Sequence, residues 1–110
     1  MKLFYKTNKL KKSFTTDKGL TKTYGSLAKK VKQRRIELEN AENLWIISQL
    51  PVLRLHQYQG ERKGIWSIDI KENWRILFQI NLDPIPDLED GSVDLKAITI
   101  IRIESVEDPH

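Results

Sequence analysis

Apolar and polar residues alternate through the middle of this chain. Leu53 and Leu55 flank Arg54 and His56; Trp66, Ile68 and Ile70 enclose Ser67 and Asp69; Trp74, Ile76 and Phe78 enclose Arg75, with Gln79 following. A period of two predicts short antiparallel strands with one face buried and the other open. Turn chemistry separates the runs: Gly60 and Gly64 bracket the polar loop Glu61-Arg62-Lys63, and Lys71-Glu72-Asn73 makes a tight hairpin turn. The pleat then places His56 and Arg75 together on the open face, with the tryptophans opposite.

The flanking segments read differently. Leu3-Phe4-Tyr5 suits a short first strand, and Asn8 is placed to cap a helical turn in which Leu10 and Phe14 share a face. A break is expected over residues 15–19. Leu20, Tyr24, Leu27, Val31 and Leu38 then follow helical spacing, with Ala28 and Ala41 alongside. Gly25-Ser26 marks a bend or a late start with Ser26 as cap. Glu37, Glu39 and Glu42 sit where a helix dipole disfavours them, so the helix is expected to run on into residues 43–50 and stop at Pro51. Residues 81–92, rich in Pro and acids, form a loop inserted in a β-hairpin. A last strand over residues 95–106 has Ile98, Ile100, Ile101 and Ile103 in both parities, as in a central strand covered on both faces, with a bulge at Ile100-Ile101. This order predicts one α+β domain over residues 1–110: a small, mostly antiparallel sheet with two or three N-terminal helices on one face.

Charge sharpens the picture. Residues 1–35 hold twelve Lys or Arg and a single acid, Asp17, for a local charge of +11. Residues 36–110 carry −7, so the net +4 conceals a strong asymmetry. Lys29, Lys30, Lys32, Arg34 and Arg35 make the polar side of the main helix almost wholly cationic. Such a face is either a solvated surface or a docking site for a polyanion or an acidic protein. Composition is that of an ordinary globular domain. The absence of cysteine fits a reducing compartment, and the chain has neither a signal-like start nor an apolar run of membrane-spanning length, which predicts a cytoplasmic protein without a membrane partner.

Metal ligation is not expected: there are two histidines, His56 and His110, and no carboxylate spacing of the kind metal sites use. No phosphate-binding glycine fingerprint or serine-hydrolase order is visible, so no cofactor is implied. Acid–base chemistry without metal remains open. RNA cleavage through its own 2′-hydroxyl needs a proton acceptor, a proton donor and cations around the phosphorane, posts that His, Lys and Arg can fill. His56 alone is more often a hydrogen-bonded surface histidine than a catalytic one, and Arg75 is equally an ion-pair partner of Asp69 across the hairpin. Trp66 and Trp74 read as core.

The run Leu55-His56, then Gly60 to Ile68, then Asn73-Trp74-Arg75-Ile76-Leu77-Phe78, resembles the HigB-type branch of the RelE/ParE toxin superfamily. Those sequences read L-H-P-L-K-G-x-x-x-G-x-W-S-I followed by N-W-R-I-x-F. The basic helical start, the chain end close to an acidic D-Y-H, and an insertion around residues 83–91 like that of killer or killer-suppression proteins extend the resemblance over nearly the whole chain. It implies a RelE-like fold and a type II toxin that cuts mRNA on the ribosome. It further implies a helix-turn-helix, HigA-like antitoxin, with DNA reached only through the antitoxin complex. Carried over, His56 and His110 would serve as acid or base and Arg75 would stabilise phosphorane charge. Arg54, Arg62, Lys63 and the cations of the main helix would hold RNA. Gln59 stands where the family has lysine, and Pro109 where it has tyrosine. These departures leave a second reading, a binding module of the same fold with degraded chemistry, acting through its antitoxin and DNA or by blocking a gyrase-like target.

Overall fold

The computed structural model describes residues 1–108; the expected site residue His110, with Pro109, lies outside the described residues. A five-stranded sheet in the order β1-β5-β4-β3-β2 carries the molecule. Its strands are β1 (Lys2–Tyr5), β2 (His56–Gln57), β3 (Ile65–Lys71), β4 (Trp74–Ile80) and β5 (Ile100–Glu107). β1 runs parallel to β5 and every other pairing is antiparallel. Helices α1 (Asn8–Thr15), α2 (Asp17–Tyr24), α3 (Ala28–Asn40) and α4 (Leu44–Ser48) complete the α+β domain. No helix among the described residues is long and apolar enough to cross a membrane.

The core forms where the apolar parity of the strands meets the apolar faces of the helices. Phe14, Leu20, Val31, Leu38, Leu44 and Ile47 pack against Trp66, Ile68, Ile70, Ile76, Phe78, Ile101 and Ile103. Most of these side chains are fully buried, each contributing about 1.5–3 kcal/mol by burial. Phe14 anchors the helical layer, with Tyr5 at 5.5 Å and Tyr24 edge-on at 5.9 Å between ring centroids.

Helix boundaries depart from the expectation in instructive ways. Thr7, not Asn8, caps α1: its hydroxyl accepts from the Leu10 amide at 3.1 Å. The break expected over residues 15–19 shrinks to Thr16, whose hydroxyl accepts from the Gly19 amide at 3.0 Å and donates to the Lys12 carbonyl at 2.8 Å. Gly19 lies inside α2 because any Cβ there would collide with the Lys12 carbonyl. The main helix is two helices. Gly25, at φ 55°, turns the chain through a short 3-10 segment, and Ser26 caps nothing: Leu27 precedes α3 without a side-chain bond.

Nor does α3 run on past residue 40. Ala41 is extended, and Asn43 starts α4 by accepting from the Ile46 amide at 3.1 Å. The glutamates near the end of α3 are accommodated by other charges. The Met1 ammonium donates to the carbonyls of Leu38, Glu39 and Ala41, a cation at the negative end of the helix. Arg34 and Arg35 pair with Glu37 and Glu39 at 2.7 and 3.5 Å.

Three features of the sheet also differ. Residues 53–55 are not a strand: Pro51–Leu53 form a 3-10 turn, Arg54 takes a left-handed conformation (φ 45°), and pairing begins at His56. The last strand starts at Ile100, and its irregularity lies not at Ile100-Ile101 but opposite Leu77/Phe78, where Glu104 is the additional residue. Trp74, expected in the core, is exposed at the hairpin tip, where it lines an open cleft with Thr23, Tyr24 and Leu27.

Candidate functional site

Turn chemistry delivers the site's loop. Gly60 (φ 69°) and Gly64 (φ 96°) both occupy conformations that side chains resist, and between them Lys63 donates its amide to the Gly60 carbonyl at 3.1 Å. The loop thereby returns the chain to β3. The Tyr58 amide donates to the Ile65 carbonyl at 2.9 Å, extending the β2–β3 ladder past Gln57.

On the sheet face away from the helices, side chains from β2, β3 and β4 converge. Register pairs His56 with Ser67 and Ser67 in turn with Leu77; one step along, Asp69 pairs with Arg75, and Arg75 with Glu107. Arg54, Leu55, His56, Ser67, Asp69 and Arg75 line one open cleft of about 440 Å³. The expectation that His56 and Arg75 share a surface therefore matches the geometry. Leu77 is buried yet stands outside the helix-side core, so it floors this face from below.

The bland pairing of Arg75 is present as well. Asp69 sits between two guanidinium groups, with Arg75 Nε 3.5 Å from one carboxylate oxygen and Arg54 Nη1 3.6 Å from the other. Both distances exceed the 2.7–2.9 Å of a well-formed charge-assisted bond. The carboxylate is thus held loosely between two cations. Arg54 is 72% exposed and Arg75 27%, so both groups remain open to a ligand.

Next to the cleft, Tyr58 packs its ring edge-to-face with His56 at 4.8 Å, and the Arg62 guanidinium lies over the Tyr58 ring at 5.6 Å. Arg62 also bonds both oxygens of Glu107, at 3.0 and 3.1 Å. The Glu107 carboxyl is held below its ordinary value, first by the Ser105 hydroxyl at 2.7 Å and then by Arg62. Lys63 is exposed at the loop end.

The helix cations divide. Lys29 is exposed; Lys30 lies 3.5 Å from Gln33 and Lys32 bonds Asp17 at 3.0 Å. Arg34 departs from the expected cationic surface: it is 4% exposed, with its guanidinium committed to Glu37 and to the carbonyls of Asp69 and Ile70. Arg35 is only 15% exposed and faces Glu39. Neither presents an open cation of the kind a polyanion needs. Sequence reasoning passed over Ser67 and Tyr58, although strand parity put the first beside Arg75 and the i+2 spacing put the second beside His56. No group of three potential metal ligands occurs among the described residues.

A mostly antiparallel sheet, helices on one side and a cationic histidine-bearing cleft on the other, define a RelE-like α+β domain. The fold is shared with a mutant of YafQ from E. coli, at a TM-score of 0.50 and 18% identity over 97% of this chain and 91% of that one. YafQ from E. coli strain BL21(DE3) gives 0.49 with the same identity and coverage. Within that class the chain belongs to the HigB-like toxin family, whose model, a RelE-like toxin of the type II toxin-antitoxin system HigB, matches residues 3–90. Endoribonuclease HigB of Proteus vulgaris is 50% identical over 28 residues, a segment spanning 26% of this chain and 30% of that protein.

Proposed function

We propose that this toxin is a metal-independent endoribonuclease that cuts mRNA on the translating ribosome and so arrests translation. The observation that carries the reading is the meeting of His56, Arg75 and Arg54 around one cleft. In the reaction, the 2′-hydroxyl loses its proton to a base and its oxygen attacks the adjacent phosphorus. The bond to the 5′-oxygen then breaks as that oxygen takes up a proton, leaving a cyclic phosphate and a free 5′-hydroxyl. His56 serves one proton transfer and His110 the other. Arg75, with Arg54 opposite, neutralises the charge that grows on the phosphorane. The ribosome supplies much of the substrate's positioning, which is why so sparse a site suffices.

Exposed Lys29, Arg62 and Lys63 suit contact with RNA backbone, and a helix-turn-helix antitoxin would hold the toxin inactive in the cytoplasm. Similarity to a protein named endoribonuclease and membership of a toxin–antitoxin family support this reading. The test is induction in growing cells of the intact chain, Arg75→Ala and His56→Ala. Growth arrest and in-frame mRNA cuts are expected from the intact chain alone. Equal toxicity from all of them, or tight antitoxin binding with no toxicity from any, overturns the nuclease reading and favours a binding module.

A further inference from the structure

We propose that Ser67 is the positioning residue of this site: its hydroxyl is the hydrogen-bond partner that orients the His56 imidazole when RNA is bound. The proposal deepens, and rests on, the nuclease reading above. Ser67 is 1% exposed, yet its Oγ has no hydrogen-bond partner among the described residues. A buried hydroxyl left unpaired opposes folding, so its presence calls for another use. In the neighbouring β3–β4 pairs of the same parity, Ile65–Gln79 and Asp69–Arg75, each polar side chain faces a partner: Gln79 bonds Glu104 and Arg75 faces Asp69.

The sheet register narrows the choice of partner. Across the strands Ser67 stands between His56 and Leu77, and Leu77 has nothing to offer a hydroxyl. Along β3 its same-face neighbours are Ile65, which is apolar, and Asp69, whose carboxylate already lies between Arg54 and Arg75. Diagonally, Gln79 is taken by Glu104 at 2.8 Å. His56 remains. Its ring lies exposed at the cleft wall, held on one side by Tyr58 and without a side-chain hydrogen bond among the described residues. A small rotation of the imidazole as a phosphate enters closes it on Ser67. One ring nitrogen is then fixed by the hydroxyl and the other is turned to the substrate, which selects a single tautomer.

The experiment compares wild type, Ser67→Ala and Ser67→Thr by long-range proton–nitrogen spectra of the His56 ring. Each is measured alone and with an uncleavable 2′-O-methyl RNA oligonucleotide, together with thermal midpoint and mRNA cleavage in a translation extract. With oligonucleotide, wild type is expected to show one tautomer of His56 and Ser67→Ala a mixture. Cleavage by Ser67→Ala should fall on the order of tenfold with its midpoint unchanged or raised, and Ser67→Thr should restore the wild-type spectrum. A Ser67→Ala protein with wild-type spectra or cleavage, or one that melts well below wild type, overturns the proposal. A wild-type chain whose His56 shifts on binding RNA but which cuts nothing sinks the nuclease reading instead, and the spectra of the variants still decide the role of Ser67.

Discussion

Arg34 reaches across from α3 to hold the backbone of Asp69: Nε donates to the Asp69 carbonyl at 2.8 Å, and Nη2 to the next carbonyl, Ile70, at 3.2 Å. The register of β3 against β4 shifts between Asp69 and Lys71, so these carbonyls lie where the ladder is irregular. One buried cation thus supports the strand that carries Asp69 into the cleft, and Glu37 at 2.7 Å balances its charge. Arg34→Ala leaves two carbonyls and a carboxylate without their donor. It is expected to destabilise the fold by about 2–4 kcal/mol. Urea denaturation with an unchanged m-value would register this as a lowered midpoint, and Arg34→Lys, which has one donor group in place of a fork, should recover only part of the loss.

If Arg54 and Arg75 hold RNA phosphate as proposed, Asp69, which lies between them, competes for both. Replacing it by asparagine keeps the shape and removes the competing charge. Asp69→Asn should therefore bind single-stranded RNA several-fold more tightly at low salt, with the slope of log affinity against log salt steeper by about one unit. Cleavage should nonetheless slow, because Arg75 loses the group that sets its place in the cleft. Fluorescence anisotropy across a salt series, paired with a cleavage assay, separates the effects; weaker binding by Asp69→Asn would show that the carboxylate itself contacts substrate.

Strand parity made the candidate site readable before any coordinates. Alternation about Ser67, Asp69 and Arg75 fixes which side chains share a face, whatever else the chain does. What parity does not carry is cover. Trp74 has the same parity as Ile76 but stands at the hairpin tip, where it lines an open cleft with Thr23, Tyr24 and Leu27 and stays exposed, while Leu77 is buried on the opposite face. Arg34 looked like its neighbours in a cationic run; only the tertiary placement of the irregularity in β3 turns it inward. The capping of α3 by the Met1 ammonium is equally a contact between distant residues, invisible to any local window.

Glu107 ties the motif loop to β5 through Arg62, and its carboxyl is held low by Ser105 and Arg62. A carboxyl whose folded value lies below its unfolded one stabilises the tethered form fully above the ordinary glutamate value of 4.5, and that contribution is lost as pH falls through the folded value. Loop order is therefore expected to weaken only in acid. Hydrogen exchange at the Tyr58 and Lys63 amides, corrected for the intrinsic pH dependence, should rise as pH drops below the ordinary glutamate value and the carboxyl protonates. Glu107→Gln should show the same exchange at neutral pH, with the global melting midpoint little changed because the pair is partly exposed.

Tyr5 gives the alkaline counterpart. Its hydroxyl is buried without a hydrogen-bond partner among the described residues, and burial, with Glu39 nearby, pushes the phenol up to about 12 against the opposing pull of Arg35. Burial raises Tyr24 as well, against its hydrogen bond with the Ser13 hydroxyl. For a group whose folded value is raised, the stabilising contribution is complete below the unfolded value near 10 and is lost as pH climbs toward the folded one. Stability should thus fall between about pH 10 and 12, with Tyr5 accounting for about 1–2 kcal/mol of the loss. Tyr5→Phe removes the orphan hydroxyl and the titration together while keeping the ring against Phe14. It should be as stable as wild type at neutral pH, or more so by up to about 1 kcal/mol, and should flatten the alkaline limb. Melting curves of the two proteins across that pH range decide it: a limb of unchanged slope in Tyr5→Phe would assign the alkaline loss to Tyr24 or to the lysines.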